Sequence, residues 1–235
     1  MEEGQEKLPF NPEEYTLDEI LKPKRCALLV IDIQNDFCDP NGFFATHLGA
    51  DISSMQATVG HIQNLIDLAH ENNISVIFTL GYEDPEFRDE PGKRRYKRWE
   101  MDGKICSKKG TFGSEFYQLQ PKPEDLVLEK YDWSAFSGRE IVENSQENGR
   151  NLEQILKEKG VQTLVVVGIK TEVCINATVT EAKAKHYFVV VPREAVATDN
   201  NQLHEAYLEG WSFSTGDVIG EDVIKNNWSS KTPTT

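Results

Sequence analysis

The strongest constraint on the fold is an alternation of short apolar runs with longer amphipathic segments. The runs are rich in Val, Ile and Leu on both faces, which is typical of parallel strands covered by helices on both sides. They are residues 26–33, 74–80, 126–130, 163–169 and 187–192. The segments with a helical pattern are 54–72, 149–160, 172–186 and 201–211. The alternation predicts an α/β protein with a doubly wound, mostly parallel sheet of about six strands.

The length of the chain, 235 residues, fits one domain of this class. We expect the domain to span residues 24–225, with an N-terminal arm at 1–23 and a C-terminal tail at 226–235. Residues 81–123 interrupt the alternation with a long charged and aromatic stretch. Loops of that length in compact domains are often functional covers, so we expect this segment to help shape a site.

Charge and cysteine usage narrow the class of partner. The net charge of -14 argues against nucleic acid and anionic membrane surfaces as partners. No apolar run approaches the roughly 20 residues of a membrane-spanning helix, and the acidic N-terminus is unlike a secretory signal. The four cysteines form no CxxC pair, a pattern that favours reduced thiols. We therefore predict a cytoplasmic protein that acts on a small molecule.

Three chemically distinct groups follow the predicted strands at their carboxyl ends. Asp32 interrupts the first apolar run, Lys130 ends the third, and Cys174 comes shortly after the fourth. Doubly wound sheets bind ligands outside the carboxyl ends of their strands. A carboxylate, an ammonium and a thiol are thus expected to share one rim of the sheet.

Each of these residues also has a structural interpretation. A buried carboxylate is costly without a partner, so Asp32 should be paired; the alternative is a helix-capping or turn residue. Taken singly, Lys130 is typical of a solvated strand-end lysine. Cys174, taken singly, is typical of a small, buried and inert thiol.

Taken together, the three groups suit nucleophilic catalysis. Cys174 falls in the first turn of a predicted helix, with Thr171 as the expected N-cap. A helix N-terminus and a nearby cation would lower the thiol pKa from its usual value near ~8.5. The thiolate would attack a carbonyl while the carboxylate shuttles the proton, as in acyl transfer.

Three motifs carry a family resemblance. LLVIDIQNDF, LVLEKYDWSAF and VVGIKTEVCINATVTEA occur in this order and resemble those of the isochorismatase-like cysteine hydrolase superfamily. The resemblance covers roughly residues 24–220, and the superfamily includes nicotinamidases and the N-carbamoylsarcosine, biuret and ureidoacrylate amidohydrolases. It implies a Rossmann-like α/β/α sandwich and a catalytic triad of Asp32, Lys130 and Cys174.

The same resemblance implies further features of the site and of the assembly. A non-proline cis peptide bond is expected between Lys170 and Thr171. The main-chain N–H groups of Thr171 and Cys174 are expected to form the oxyanion hole. Members of this superfamily are commonly homodimers or homotetramers, and we expect the same here.

Differences between this sequence and the motifs of related enzymes narrow the range of expected activities. Nicotinamidases hold a metal with an Asp-x-His motif after the second strand, where this chain has Leu80 and Tyr82. We therefore predict no metal site and no cofactor. Ureidoacrylate amidohydrolases carry a polar amide-binding residue in the same segment, where Thr79 and Leu80 stand here. Isochorismatases proper lack the cysteine, so Cys174 favours cleavage of a C–N bond over a vinyl ether.

Aromatic and basic residues near the strand ends are candidates for the pocket. Phe37, Tyr82, Trp133 and Phe136 are predicted to line it, with ordinary core packing as the alternative for each. A basic run follows in the long segment, at Lys93, Arg94, Arg95, Lys97 and Arg98. This run would suit a substrate carboxylate, or would be a solvated face or a subunit contact.

The combined prediction is a metal-independent cysteine hydrolase that cleaves the C–N bond of a small amide, ureido or carbamoyl compound through an acyl-enzyme. Two alternatives remain open. One is a vinyl-ether hydrolase acting on an isochorismate-like diacid. The other is a catalytically silent binding member of the same fold.

Overall fold

The computed structural model describes residues 15–86, 90–98, 105–141 and 149–229, with residues 95–98 described by their backbone. Within these residues the chain forms one sheet of eight strands. The strands are β1 (Cys26–Ile31), β2 (Ser75–Gly81), β3 (Leu126–Lys130), β4 (Arg139–Glu140), β5 (Thr163–Ile169), β6 (Phe188–Pro192), β7 (Val196–Ala197) and β8 (Asp217–Ile219). Their order is β4-β3-β2-β1-β5-β6-β8, and β7 pairs with β5.

The sheet confirms the predicted α/β class. All five predicted strands are present, and the short strands β4, β7 and β8 complete the sheet. Each pairing is parallel except that of β3 with β4, which is antiparallel. The short strands escaped prediction because two or three residues carry no recognisable apolar pattern.

Helices cover both faces of the sheet. They are α1 (Leu17–Ile20), α2 (Asn35–Cys38), α3 (Phe43–Thr46), α4 (Ser53–Glu71), α5 (Glu90–Arg98), α6 (Leu152–Glu158), α7 (Asn176–Ala184), α8 (Asn201–Ser214) and α9 (Glu221–Ser229). One core lies under α4 and α9, and the other lies under α6, α7 and α8. Alternate residues of β1 enter the two cores, Leu28 and Val30 the first, Leu29 and Ile31 the second, as expected for a strand covered on both faces.

The packed region extends beyond the predicted boundaries of 24–225. Ile20 and Leu21, assigned to the arm, are 2% and 0% exposed. Trp228, assigned to the tail, is 0% exposed, and its indole N–H donates to the carbonyl of Leu21 at 3.1 Å. Apolar side chains at both ends pack against the first core, so that core includes a few residues just outside the predicted domain. Residues 1–14 and 230–235 lie outside the described residues.

No helix in the described residues is both long enough and apolar enough to cross a bilayer.

Candidate active site

The site lies where the strand order of the sheet reverses. From β1 the chain adds β2 and β3 on one side, whereas β5 and β6 lie on the other. Asp32 directly follows β1, and Cys174 comes five residues after the end of its neighbour β5. Such a reversal leaves a crevice at the carboxyl ends of the strands, which is where ligands bind in open α/β sheets.

Lys130, the last residue of β3, joins the acid to the thiol. Its side chain is buried, and its Nζ lies 2.8 Å from Oδ2 of Asp32. The ammonium also donates to Sγ of Cys174 at 3.5 Å and to the carbonyl of Asp132 at 3.0 Å. These three acceptors match the three protons of an ammonium group. Burial by itself lowers the pKa of Lys130, but the neighbouring Asp32 and Cys174 raise that pKa above its usual range, so the group stays a cation.

Lys130 reaches Asp32 across β2, which lies between their strands. In the β2–β3 ladder the residue beside Lys130 is Gly81. A Cβ atom at Gly81 would lie 3.1 Å from Oδ2 of Asp32, tighter than ordinary van der Waals contact. The glycine therefore leaves the space in which the lysine and the carboxylate meet.

Asp32 is 1% exposed and adopts a positive φ of 53° immediately after β1. While Oδ2 pairs with Lys130, Oδ1 accepts a hydrogen bond from the hydroxyl of Thr79 at 2.6 Å. The residue thus stands in the turn after the strand, but its carboxylate faces the other site residues. Its predicted need for a buried partner is met by two groups.

Cys174 lies in a π-helical turn, Thr171–Ile175, that leads into α7. Its side chain is partly buried and packs at the edge of the second core. Burial raises the pKa of the Cys174 thiol, the Asp32 carboxylate raises it further, and Lys130 offsets these effects only in part. The predicted lowering of this pKa was wrong because desolvation outweighs the nearby cation.

Two predictions about the turn before Cys174 need correction. The cis peptide bond joins Ile169 and Lys170, one residue earlier than the predicted Lys170–Thr171 bond. It falls at the last residue of β5, and the motif by itself did not locate that strand end. Thr171 is not the N-cap, since the turn is preceded by Lys170; its hydroxyl pairs with Nδ1 of His204 on α8 at 3.0 Å.

Comparison with known proteins assigns the chain to a family. The model of the isochorismatase domain matches residues 26–222, which is most of the chain. The chain belongs to the isochorismatase family. A curated relative, the ureidoacrylate amidohydrolase RutB of Agrobacterium fabrum, is 29% identical over 91% of this chain and 95% of its own length.

Solved structures share the fold of this isochorismatase-family protein. A cysteine hydrolase from Pseudomonas syringae pv. phaseolicola matches with a TM-score of 0.70 at 23% identity, covering 88% of this chain and 94% of that one. The N-carbamoylsarcosine amidase from Thermoplasma acidophilum matches with a TM-score of 0.64 at 26% identity, covering 83% of this chain and 95% of its own. The first match shows that the folds are similar. The second shows similarity of sequence as well as of fold.

Two of the four aromatic residues predicted for the pocket of this isochorismatase-family protein flank Lys130. The main-chain N–H of Tyr82 donates to the carbonyl of Lys130 at 2.8 Å, and its ring packs against Tyr131. Trp133 donates its N–H to the carboxylate of Asp132, and its side chain is 37% exposed.

The other two predicted pocket residues pack elsewhere. Phe37 packs against the first core, on the face of the sheet opposite Cys174, with its ring edge-on to Phe44. Phe136 contacts Tyr187, at the entrance to β6, and lies beneath the ammonium of Lys185 at the far end of α7. Nearness in sequence to Asp32 and Lys130 does not fix the direction of a side chain, and a pocket role for Phe37 and Phe136 stays a prediction.

Part of the long segment 81–123 is tied to the residues after β1. The main-chain N–H of Ser107 donates to the carboxylate of Asp36 at 2.6 Å, and that of Tyr117 donates to the carbonyl of Ile33 at 2.9 Å. The amide of Gln34 donates to the carbonyls of Gly81 and Ser114. This segment therefore borders the turn that carries Asp32.

The basic run is described only in part. Lys93 pairs with Glu90, and both residues are exposed, while the side chains of Arg95, Lys97 and Arg98 lie outside the described residues. Among the side chains that the structure does describe, no three of His, Cys, Asp or Glu come close enough together to hold a metal ion.

Sequence reasoning missed the contribution of β2. The sequence motifs point to Thr79 only as the residue that replaces an amide-binding side chain, and they assign no role to Gly81. A polar residue in an otherwise apolar strand, next to the strand that delivers Asp32, was the available signal for Thr79. The role of Gly81 depends on strand register, which the sequence does not show.

Proposed function

We propose that the protein is a metal-independent cysteine amidohydrolase that cleaves the C–N bond of a small linear amide, ureido or carbamoyl compound through an acyl-enzyme. The observation that carries the proposal is the buried contact of Lys130 with Oδ2 of Asp32 at 2.8 Å and with Sγ of Cys174 at 3.5 Å. This contact supports a site in which Asp32 is the acid–base group, Lys130 a fixed cation and Cys174 the nucleophile.

The relatives support the type of bond. Their names describe hydrolysis of ureidoacrylate and of N-carbamoylsarcosine, both of which contain a C–N bond next to a carbonyl. Family membership over residues 26–222 includes all three site residues in the matched region. The nitrogen-linked carbonyl is the feature that these substrates share, so we assign that feature to the substrate of this chain.

The first half of the reaction forms the acyl-enzyme. The Asp32 carboxylate takes the proton from the Cys174 thiol as Sγ bonds to the substrate carbonyl carbon, giving a tetrahedral oxyanion. Main-chain N–H groups of Thr171 and Cys174 would stabilise the negative oxygen. When the carbonyl reforms, the C–N bond breaks and the protonated Asp32 gives its proton to the leaving nitrogen, which departs as ammonia or an amine.

The second half returns the enzyme to its resting state. Asp32, again a carboxylate, takes a proton from a water molecule as the water oxygen bonds to the thioester carbon. Collapse of this intermediate breaks the C–S bond, and the proton held by Asp32 passes to the departing sulfur. Lys130 keeps its proton throughout, orienting the carboxylate and stabilising negative charge on sulfur.

The partners follow from this chemistry. The substrate is a small molecule, and no part of the mechanism calls on a cofactor or a metal. Leu80 and Tyr82, which stand where nicotinamidases place metal ligands, are both buried side chains at the end of β2. We keep the expectation of a homodimer or homotetramer as part of the proposal.

The test is replacement of the nucleophile. Cys174→Ala and Cys174→Ser are expected to lower ammonia release from a panel of amides and ureides at least about a thousandfold, because no other group forms the acyl-enzyme. Circular dichroism and urea unfolding should show an intact fold, since the side chain is only partly buried.

The matched control is Cys26→Ser. Cys26 starts β1, at the opposite end of the sheet, where its thiol donates to the carbonyl of Ile20 at 3.4 Å. This variant should keep wild-type turnover. Full amidase activity in Cys174→Ala would overturn the proposal, and so would release of pyruvate from isochorismate by a wild-type protein that releases ammonia from no member of the panel.

A further inference from the structure

The Thr79 hydroxyl meets Asp32 at two points. Its Oγ1 donates to Oδ1 of the Asp32 carboxylate at 2.6 Å and accepts the main-chain N–H of the same residue at 3.3 Å. Thr79 is 0% exposed, so water does not compete for these contacts. In a buried setting, a hydrogen bond to a charged oxygen is stronger than one between neutral groups.

The two contacts fix the direction of the hydroxyl proton. Because the oxygen already accepts the N–H of Asp32, its proton points toward the carboxylate and not toward the main chain. The strand register places Thr79 beside Ile31, the residue before Asp32. Alternation along β2 puts Thr79 on the same face as Ile77 in the second core, which is the face that carries Cys174.

The carboxylate of Asp32 is thus held between groups from three neighbouring elements. Thr79 of β2 binds Oδ1, Lys130 of β3 binds Oδ2, and Cys174 faces the pair from the turn before α7. Gly81, which also faces the carboxylate, contributes no side chain. Lys130 and Cys174 are the titratable groups seen in contact with this site carboxylate, and Thr79 is a neutral donor on its other oxygen.

We propose that Thr79 is a positioning residue for the general base: its hydroxyl anchors one oxygen of Asp32 so that the other stays directed at Lys130 and Cys174. The proposal rests on the proposed function, because it takes Asp32 as the group that accepts the thiol proton. Without the anchor, the carboxylate can rotate about its χ angles. Its negative charge is then less well stabilised beside the sulfur.

The test compares two substitutions at Thr79. Thr79→Val keeps the shape of the side chain and removes the hydroxyl, whereas Thr79→Ser keeps the hydroxyl. Thr79→Val is expected to lower kcat about tenfold to a hundredfold, the effect of losing one charge-assisted hydrogen bond, while KM stays near the wild-type value. Thr79→Ser should retain most of the wild-type kcat.

A second readout needs no substrate. The pH profile of Cys174 alkylation by iodoacetamide, followed by mass spectrometry, should move to higher pH by about one unit in Thr79→Val. The direction follows because the hydroxyl dipole offsets part of the negative charge of Asp32, and without it that charge disfavours a neighbouring thiolate more strongly. Thr79→Ser should retain the wild-type profile. Thr79→Ala also lacks the hydroxyl and gives the same test if valine is poorly accommodated.

The matched control is Thr58→Val. Thr58 on α4 is equally buried, and its hydroxyl donates to the carbonyl of Glu194, away from the site. It should change neither kcat nor the alkylation profile. Wild-type values of both in Thr79→Val, or equal losses in Thr79→Val and Thr79→Ser, would refute the positioning role. The two proposals fail in different ways. If the proposed function is wrong, the wild type hydrolyses no amide, but the alkylation profile still shifts in Thr79→Val.

Discussion

Among individual side chains, Lys130 is the charged group that contacts both other site residues. The residue is 2% exposed, and its ammonium contacts Asp32, Cys174 and the carbonyl of Asp132. Removing one member of a buried ion pair leaves the other charge without compensation and typically costs about 3–5 kcal/mol. The residues that would perform the chemistry therefore also hold the strand ends together.

The resting state of Cys174 gives a prediction for thiol reactivity. Burial, followed by the Asp32 carboxylate, raises its pKa despite the nearby lysine. A raised pKa means that the reactive thiolate is scarce at pH 7 and becomes more abundant as the pH increases. Alkylation of Cys174 should be slower at pH 7 than that of N-acetylcysteine and should still be increasing above pH 9, as measured by mass spectrometry of the modified peptide.

The other cysteines are an internal comparison in that experiment. Cys26 and Cys38 are buried, and desolvation raises the pKa of each to about 12. They should be modified more slowly than the partly exposed Cys174. A Cys174 alkylation rate that is already at its plateau below pH 7 would contradict the raised pKa.

Among the secondary-structure elements, β5 and β1 come close together at Gly168. This glycine has a φ of 122°, and a Cβ atom there would lie 2.2 Å from the carbonyl oxygen of Ile31. Ile31 is its register partner and directly precedes Asp32. The close approach therefore sets the spacing between the strand that delivers the acid and the strand that leads to the thiol.

Gly168→Ala tests this contact against Gly160→Ala. Both glycines have positive φ, but a Cβ atom at Gly160 meets nothing within 4 Å. Gly160→Ala should lower the free energy of unfolding by about 1 kcal/mol, from backbone strain alone. Gly168→Ala should lower it by several times as much, roughly 3 kcal/mol or more, because strands must separate. Urea unfolding measures both, and equal losses would contradict the close approach.

These elements also show how far the sequence could predict the structure. The five long strands were predictable because each is a short apolar run, and the meeting of Asp32, Lys130 and Cys174 followed from the rule about strand ends. The π-helical turn that carries Cys174 was not predictable, because its sequence continues the helical pattern of α7. Nor were the roles of Gly81 and Gly168, because both depend on which residues are opposite each other in neighbouring strands.

For the chain as a whole, the short helices at the two ends of the described region close the first core. Ile20 of α1, the adjacent Leu21, and Ile224 and Trp228 of α9 are buried together there. The indole of Trp228 joins the two ends through its hydrogen bond to Leu21, 207 residues away in sequence. Integrity of this face therefore depends on contacts between the start and the end of the domain.

Trp228→Ala should lower the free energy of unfolding by about 3–5 kcal/mol, the usual cost of emptying a core site occupied by a large aromatic ring. Phe213→Ala is the control, because Phe213 is 93% exposed and its loss should change stability by less than about 0.5 kcal/mol. Both values come from urea unfolding. A change at Trp228 no larger than that at Phe213 would contradict its place in the core.

The crossing of Lys130 over β2 has a consequence for folding intermediates. The backbones of Asp32 and Lys130 are two strand spacings apart, about 10 Å. Their side chains meet only because that of Lys130 is long enough to pass over Gly81. A chain in which any one of these three strands is unpaired has no charge-neutralising partner for either group and no place for a substrate. A turnover assay therefore detects only molecules in which β1, β2 and β3 are paired.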